Sequence, residues 1–218
     1  RSGLQLTLNN LTVSDCEDGL EVVTHSNSLK NRINAEVNDS LFINNGTAIY
    51  NTSNNINVDI NNSTITENSG GIFFASYVDE KDYGSTLTIS DSDISLNTLD
   101  NTQAVAIHGT ADAVITSSTI TDNTSTGIAG ALYISVGGDD SSFTIEDSEI
   151  LRNHAETQGG GMTLHAGHAD VTNSNWGETG SDDDNTDYDI RLLSSRNIDI
   201  DGTASFVCSE PDATCTLK

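Results

Sequence analysis

The chain has 218 residues, with 33 Asp and Glu against 8 Lys and Arg, a net charge of −25 and a sequence pI near 4.1. That balance offers no basic face to phosphate, so no nucleic acid is expected as a partner. No run approaches the ~20 apolar residues of a membrane helix, and Asn, Asp, Ser, Thr, Ile and Val outnumber the strong helix formers.

In chain order, the first apolar pairs are Leu6/Leu8, Leu11/Val13 and Leu20/Val22. The same arrangement then returns around a serine anchor. Ala35 and Val37 precede Ser40 and Phe42, and Val58 and Ile60 precede Ser63 and Ile65. Leu87 and Ile89 precede Ser92 and Ile94, and Ala113 and Ile115 precede Ser118 and Ile120. Phe143 and Ile145 precede Ser148 and Ile150, and Ala169 and Val171 precede Ser174 and Trp176. Five residues after the anchor stand Asn45, Asn68, Asn97, Asn123 and Asn153; the first unit has Cys16 in that slot and the last has Thr179. Starting from Leu11, anchors are spaced by 29, 23, 29, 26, 30 and 26 residues.

Within a unit the first two apolar positions alternate, so their side chains share one face of a strand. Parity flips just before the anchor, which requires a bend at polar pairs such as Asn61-Asn62 and Glu146-Asp147. A third apolar pair follows, often after glycine: Ile72/Phe74 after Gly70-Gly71, Met162/Leu164 after Gly159-Gly160-Gly161. Units this small cannot bury their own faces and must stack on one another. The expected fold is therefore all-β: a parallel β-helix, or solenoid, of about seven coils with three strands each, rising about 4.8 Å per coil. It forms a single domain over 1–218, with repeat coils over about 4–200 and a closing cap over about 201–218. Length variation falls in loops at His25 to Asn34, Ala75 to Thr86 and Val136 to Ser142.

The Phe42-to-Asn45 segment, its Ile-for-Phe equivalents ending at Asn68, Asn97, Asn123 and Asn153, and the Gly70-Gly71-Ile72 and Gly160-Gly161-Met162 segments carry a resemblance. They are similar to the right-handed parallel β-helix (pectate-lyase-like) superfamily, and most of all to repeat regions of bacterial polymorphic outer-membrane and autotransporter-like surface proteins. The resemblance covers roughly residues 4–208. It implies right-handed coiling and a non-enzymatic secreted or cell-surface module: an adhesin, a spacer, or a scaffold binding a glycan or a surface protein. The same superfamily also implies two alternatives, a polysaccharide lyase or hydrolase and a self-assembling filament subunit. A chain starting so close to a strand at Leu4 leaves a pairing edge, which suits either the C-terminal piece of a longer β-helix or end-to-end self-association.

The residues themselves point to few chemistries. The Asn column reads as a structural amide ladder. Asp182, Asp183, Asp184, Asp187 and Asp189 form the densest acidic patch. It is either a solvated charge run or a calcium site, since that ion takes about six to eight oxygens. Asp39, Asn62, Asp91, Ser117, Asp147 and Asn173, one before each anchor, alternate acid with neutral and so avoid stacked like charges. His168 and Asp170 can share a strand face, a fragment of a transition-metal site. A lyase needs a cation beside a carboxylate. Lys30, Arg32, Lys81, Arg152, Arg191 and Arg196 supply no two in one column of neighbouring coils. No catalytic residue is assigned. Cys208 and Cys215 flank Pro211, as a short disulfide loop in an exported protein would, and Cys16 is expected to be a buried free thiol.

Overall fold

The structure is a computed structural model that describes residues 3–23, 32–77, 84–137, 142–157, 159–178, 180–186, 188–193, 197–200, 206–208 and 214–217. Side chains of residue 197 and of the last two segments lie outside the described set. The described residues contain strands and no helix, and every strand pair is parallel.

The chain winds as a β-solenoid. Its first sheet stacks nine strands in sequence order: Leu4–Asn9, Ile33–Asn38, Ile56–Asn61, Thr86–Ser90, Asp112–Thr116, Ser142–Glu146, His168–Thr172, Asn197–Ile200 and Thr214–Leu217. The second sheet stacks six short strands from Thr12–Ser14 to Glu149–Leu151, and the third stacks eight from Asp18–Glu21 to Phe206–Cys208. Six turns therefore carry all three strands. The seventh keeps its first and third, but its second shrinks to one bridge between Glu149 and Asn175. This is one full coil fewer than the periodicity predicts, because the insertion after Trp176 leaves the second sheet early. A short fourth sheet, absent from the sequence reading, pairs Thr98–Leu99, Thr124–Ser125 and His154–Ala155.

The register superposes the repeat columns. Val37 pairs with Ile60 and Ile60 with Ile89; Phe42 pairs with Ile65 and Ile65 with Ile94. These inward positions are fully buried and form one continuous core with Phe74, Phe143, Met162 and Trp176.

Two left-handed residues turn each of the first six coils, and one, Asn173, turns the seventh. The residue before the anchor has φ near +50° at Asp39, Asn62, Asp91, Ser117, Asp147 and Asn173, and Asn10 does the same for the first coil. Asn and Asp tolerate that region best, which is the physical reason for this column's composition. The residue before the Asn column repeats the geometry at Asp15, Asn44, Glu67, Leu96, Asp122 and Arg152.

Both corners are bound by buried side-chain ladders. Each anchor serine oxygen accepts from the backbone N–H of the anchor one coil earlier, as Ser63 Oγ does from Ser40 N at 3.1 Å and Ser148 Oγ from Ser118 N at 3.2 Å. Each hydroxyl then donates to the carbonyl two residues before it. In the Asn column, Asn45 donates Nδ2 to Asn68 Oδ1, Asn68 to Asn97, Asn97 to Asn123 and Asn123 to Asn153, at 2.8–3.0 Å. The ladder continues on Asn185, whose Oδ1 accepts from Asn153 Nδ2 at 3.0 Å. Thr179, which a fixed five-residue offset selects, lies outside the described residues.

Cys16 corrects the expectation of a buried thiol: it is free and exposed. Its backbone N–H joins the ladder through Asn45 Oδ1 at 3.1 Å, but no described coil lies beneath the first one to cover its side chain.

Candidate functional site

The outer face of the third sheet carries a feature that the repeat columns conceal. Tyr50 and Phe73 are in register and their rings stack at 5.5 Å and 20°. The next position in register is Ala106, which leaves a gap. His108, two residues on, fills it, with its ring 5.1 Å from Phe73 and 5.2 Å from Tyr133. Tyr133 in turn meets His165, where a register shift after Ile134 re-aims the strand, and its hydroxyl lies 2.5 Å from His165 Nδ1. Five rings thus run across five successive turns. Only the first pair is stacked; the three later contacts are tilted, at 31°, 39° and 51°.

Beside the first two rings is a cavity of about 120 Å³, lined by Tyr50, Phe73, Gly70, Gly71, Gln103 and Ala106. The glycines and Ala106 open it, and its wall is largely apolar. It can hold one ring or one side chain rather than a whole metabolite, which takes about 300 Å³ or more.

Burial, and then the charge of His165, push the His108 imidazole below its ordinary value of 6.5, and burial pushes the Tyr133 phenol up. A histidine whose folded value is depressed binds its proton more weakly folded than unfolded. Stability is therefore full above about pH 6.5 and is lost as pH falls from there toward the folded value. Melting temperature should drop on acidification in this range, and His108→Phe should drop less. Parallel pH profiles for the two proteins would dismiss the effect.

The remaining sequence candidates do not gather in one place. A shallow polar groove of about 380 Å³ runs between the first two sheets past Asn62, Asp91, Asp93, Ser117 and Thr119. Around it the alternation of acid and neutral is used directly: Asn62 donates to Asp39 at 2.5 Å, and Asn173 donates to Asp147.

In the acidic insertion, Asp182 is exposed. Asp183 accepts from Ser181 Oγ and from Glu178 N, and the serine bond is the main reason its carboxyl sits below the usual range. Asp184 Oδ2 accepts from Gly180 N at 2.6 Å, while its Oδ1 is buried without a hydrogen-bond partner. Asp189 faces inward: it is fully buried and accepts from the ladder residue Asn185 at 2.9 Å. Asp187 lies outside the described residues. Among the described residues, no three of these carboxylates bring ligand atoms within 4.8 Å of one another.

Two of the cations, Arg32 and Arg152, are used structurally. Arg32 donates to Asn55, Asn57 and Gly84 O, and Arg152 forms a two-pronged pair with Asp122 at 2.7 and 2.6 Å on an exposed corner. The guanidinium holds the Asp122 carboxyl below its ordinary range. Lys30, Lys81 and Arg196 lie outside the described residues, as do the side chains of Cys208 and Cys215. The backbones of those two cysteines belong to the third and first sheets. No protein-family model, curated protein or solved structure matches the chain.

Proposed function

We propose that the chain is a non-enzymatic β-solenoid module, exported or displayed on a cell surface. It acts as an adhesin-like scaffold whose third-sheet face meets a glycan or a protein partner. The observation that supports this reading is the five-ring aromatic ladder with the apolar cavity at Tyr50 and Phe73. A small apolar slot walled by Tyr50 and Phe73 beside Gln103 suits the apolar face and hydroxyls of one sugar ring, and a rigid stacked sheet holds its walls in place without ordering cost. Calcium on the acidic insertion and a disulfide between Cys208 and Cys215 belong to the same proposal, as local stiffening of the C-terminal turns.

Electrophoresis through gels cast with hydroxyethyl cellulose, xylan or polygalacturonate tests the reading. The expected result is retardation by a neutral polysaccharide, lost in Tyr50→Ala. Release of reducing or unsaturated ends would turn the assignment to a carbohydrate-active enzyme. Migration unaffected by all three polymers would remove the glycan.

A further inference from the structure

On the outer face of the first sheet, His168 and Asp170 stand two residues apart on one strand and so point the same way. His168 Nε2 lies 3.2 Å from Asp170 Oδ1. The next strand places Asp199 in direct register with Asp170. One ligand atom from each of the three lies within 4.8 Å of the others. We propose that His168, Asp170 and Asp199 form a binding site for a divalent transition-metal ion of the zinc class.

Two arguments carry the assignment. The first is electrostatic. Parallel neighbours about 4.8 Å apart set the Asp170 and Asp199 carboxylates one above the other, which brings two oxygen ligands and their negative charge to one place. The corner before each serine anchor avoids this by alternating acid with Asn or Ser. The positions flanking the acid pair in its own column are Thr144 and Thr216, so no third acid stands next to the pair. The second argument is ligand chemistry. An imidazole with two carboxylates suits a borderline divalent ion better than a hard one, which prefers an all-oxygen shell.

The backbone beneath is held in place. Ala169, Val171, Ile198 and Ile200, the inward residues of the same two strands, are all buried, so the three ligands project from a fixed platform. The side chains of His168 and Asp170 are about half exposed, at 42% and 49%, leaving outward positions for water or a donor from a partner.

The same column contains an internal control. Glu36 and Asp59 are also in register, but Asn34 and Asn57 stand where an imidazole would be needed. That pair has the charge of the proposed site without its nitrogen ligand.

Zinc titration by calorimetry on the full chain, in excess calcium to occupy the general acidic surface, decides the matter. One zinc per chain is expected. His168→Ala and Asp199→Asn should each weaken binding about tenfold or more, and Glu36→Gln should leave it unchanged. Zinc should also raise the wild-type melting temperature with its concentration and fail to do so in His168→Ala, a readout that separates lost binding from lost folding. Equal affinity in wild type and His168→Ala, or displacement of zinc by calcium at equal concentration, would overturn the assignment. Neither outcome bears on the aromatic face, which lies on a different sheet.

Discussion

Replacing Asn97 with leucine should lower the melting temperature by about 8–16 °C, more than any single polar substitution on the outer faces. Asn97 Oδ1 accepts from the backbone N–H of Asn68 at 2.9 Å and from its Nδ2 at 3.0 Å. Asn97 Nδ2 donates to Ile65 O at 3.1 Å and to Asn123 Oδ1 at 2.8 Å. Leucine makes none of these bonds.

The neighbours recover unequally. Asn68 Nδ2 keeps Phe42 O and Thr66 O, and Asn123 Oδ1 keeps the backbone N–H of residue 97. The Asn68 N–H loses its acceptor and Ile65 O loses a donor, deep in a residue column about 1% exposed. A buried group left without its partner costs about 1–3 kcal/mol, and the extra apolar bulk adds strain on a similar scale. About 4 kcal/mol is the sum, and each kcal/mol shifts the midpoint by about 2–4 °C in a chain of this size.

Asn61→Ser is the contrast. Its amide bonds to Asn38 Oδ1 across the half-exposed outer face, where water can substitute, and the expected cost is below about 1 kcal/mol. Thermal melts followed by circular dichroism check both. Coincident curves for Asn97→Leu and wild type would mean that the amide column does not hold the coils together.

The ladder residues also show what the sequence makes legible. Stacking one coil on the next forces equivalent positions into register, so inward residues recur at fixed offsets from Ser40 through Ser174 and can be found without coordinates. The serine itself stood out as an anchor by spacing. Its role as a second ladder depends on the left-handed residue before it, which aims the hydroxyl at the neighbouring coil.

Offsets fail where the chain leaves the column. The insertion after Trp176 carries the last amide to Asn185, nine residues on from Trp176, whose carbonyl it also bonds. It also turns Asp189 from an apparent surface acid into the partner that closes the ladder. The outer faces are less legible still, because solvent does not enforce a repeat there. Nothing in spacing says that His108 crosses into the gap above Ala106. Nor does it say that Asp199 lands on Asp170, since Thr203 stands where a serine anchor would mark that turn as a further repeat unit.

The Gly70-Gly71 pair leads to the second large effect: Gly71→Ala should destabilise the stack by about 3 kcal/mol or more. A methyl at residue 71 would meet the backbone of the next coil, with the Ala104 carbonyl carbon at 2.7 Å, its Cα at 2.8 Å and the carbonyl oxygen closer than either. That oxygen already accepts from Ile72 N at 2.8 Å, and Gly71 O accepts from Ala48 N at 3.1 Å, so the peptide unit between Gly71 and Ile72 is bonded to both neighbouring coils. Backbone cannot rotate away as a side chain does. Relief would require parting the third and fourth turns at the entry to the third sheet, with loss of those bonds and of packing at Ile72 and Val105, both buried.

Gly137→Ala tests whether the cost is steric rather than a general penalty for losing glycine. A Cβ there meets nothing within 4 Å, and the expected change is within about 0.5 kcal/mol. The cavity at Tyr50 and Phe73 uses Gly71 as part of its wall, so Gly71→Ala should also weaken whatever ligand that face binds. Urea unfolding of the two variants side by side separates the explanations. Equal midpoints would show that the coils can part at little cost, and that close backbone approach is not what fixes glycine at residue 71.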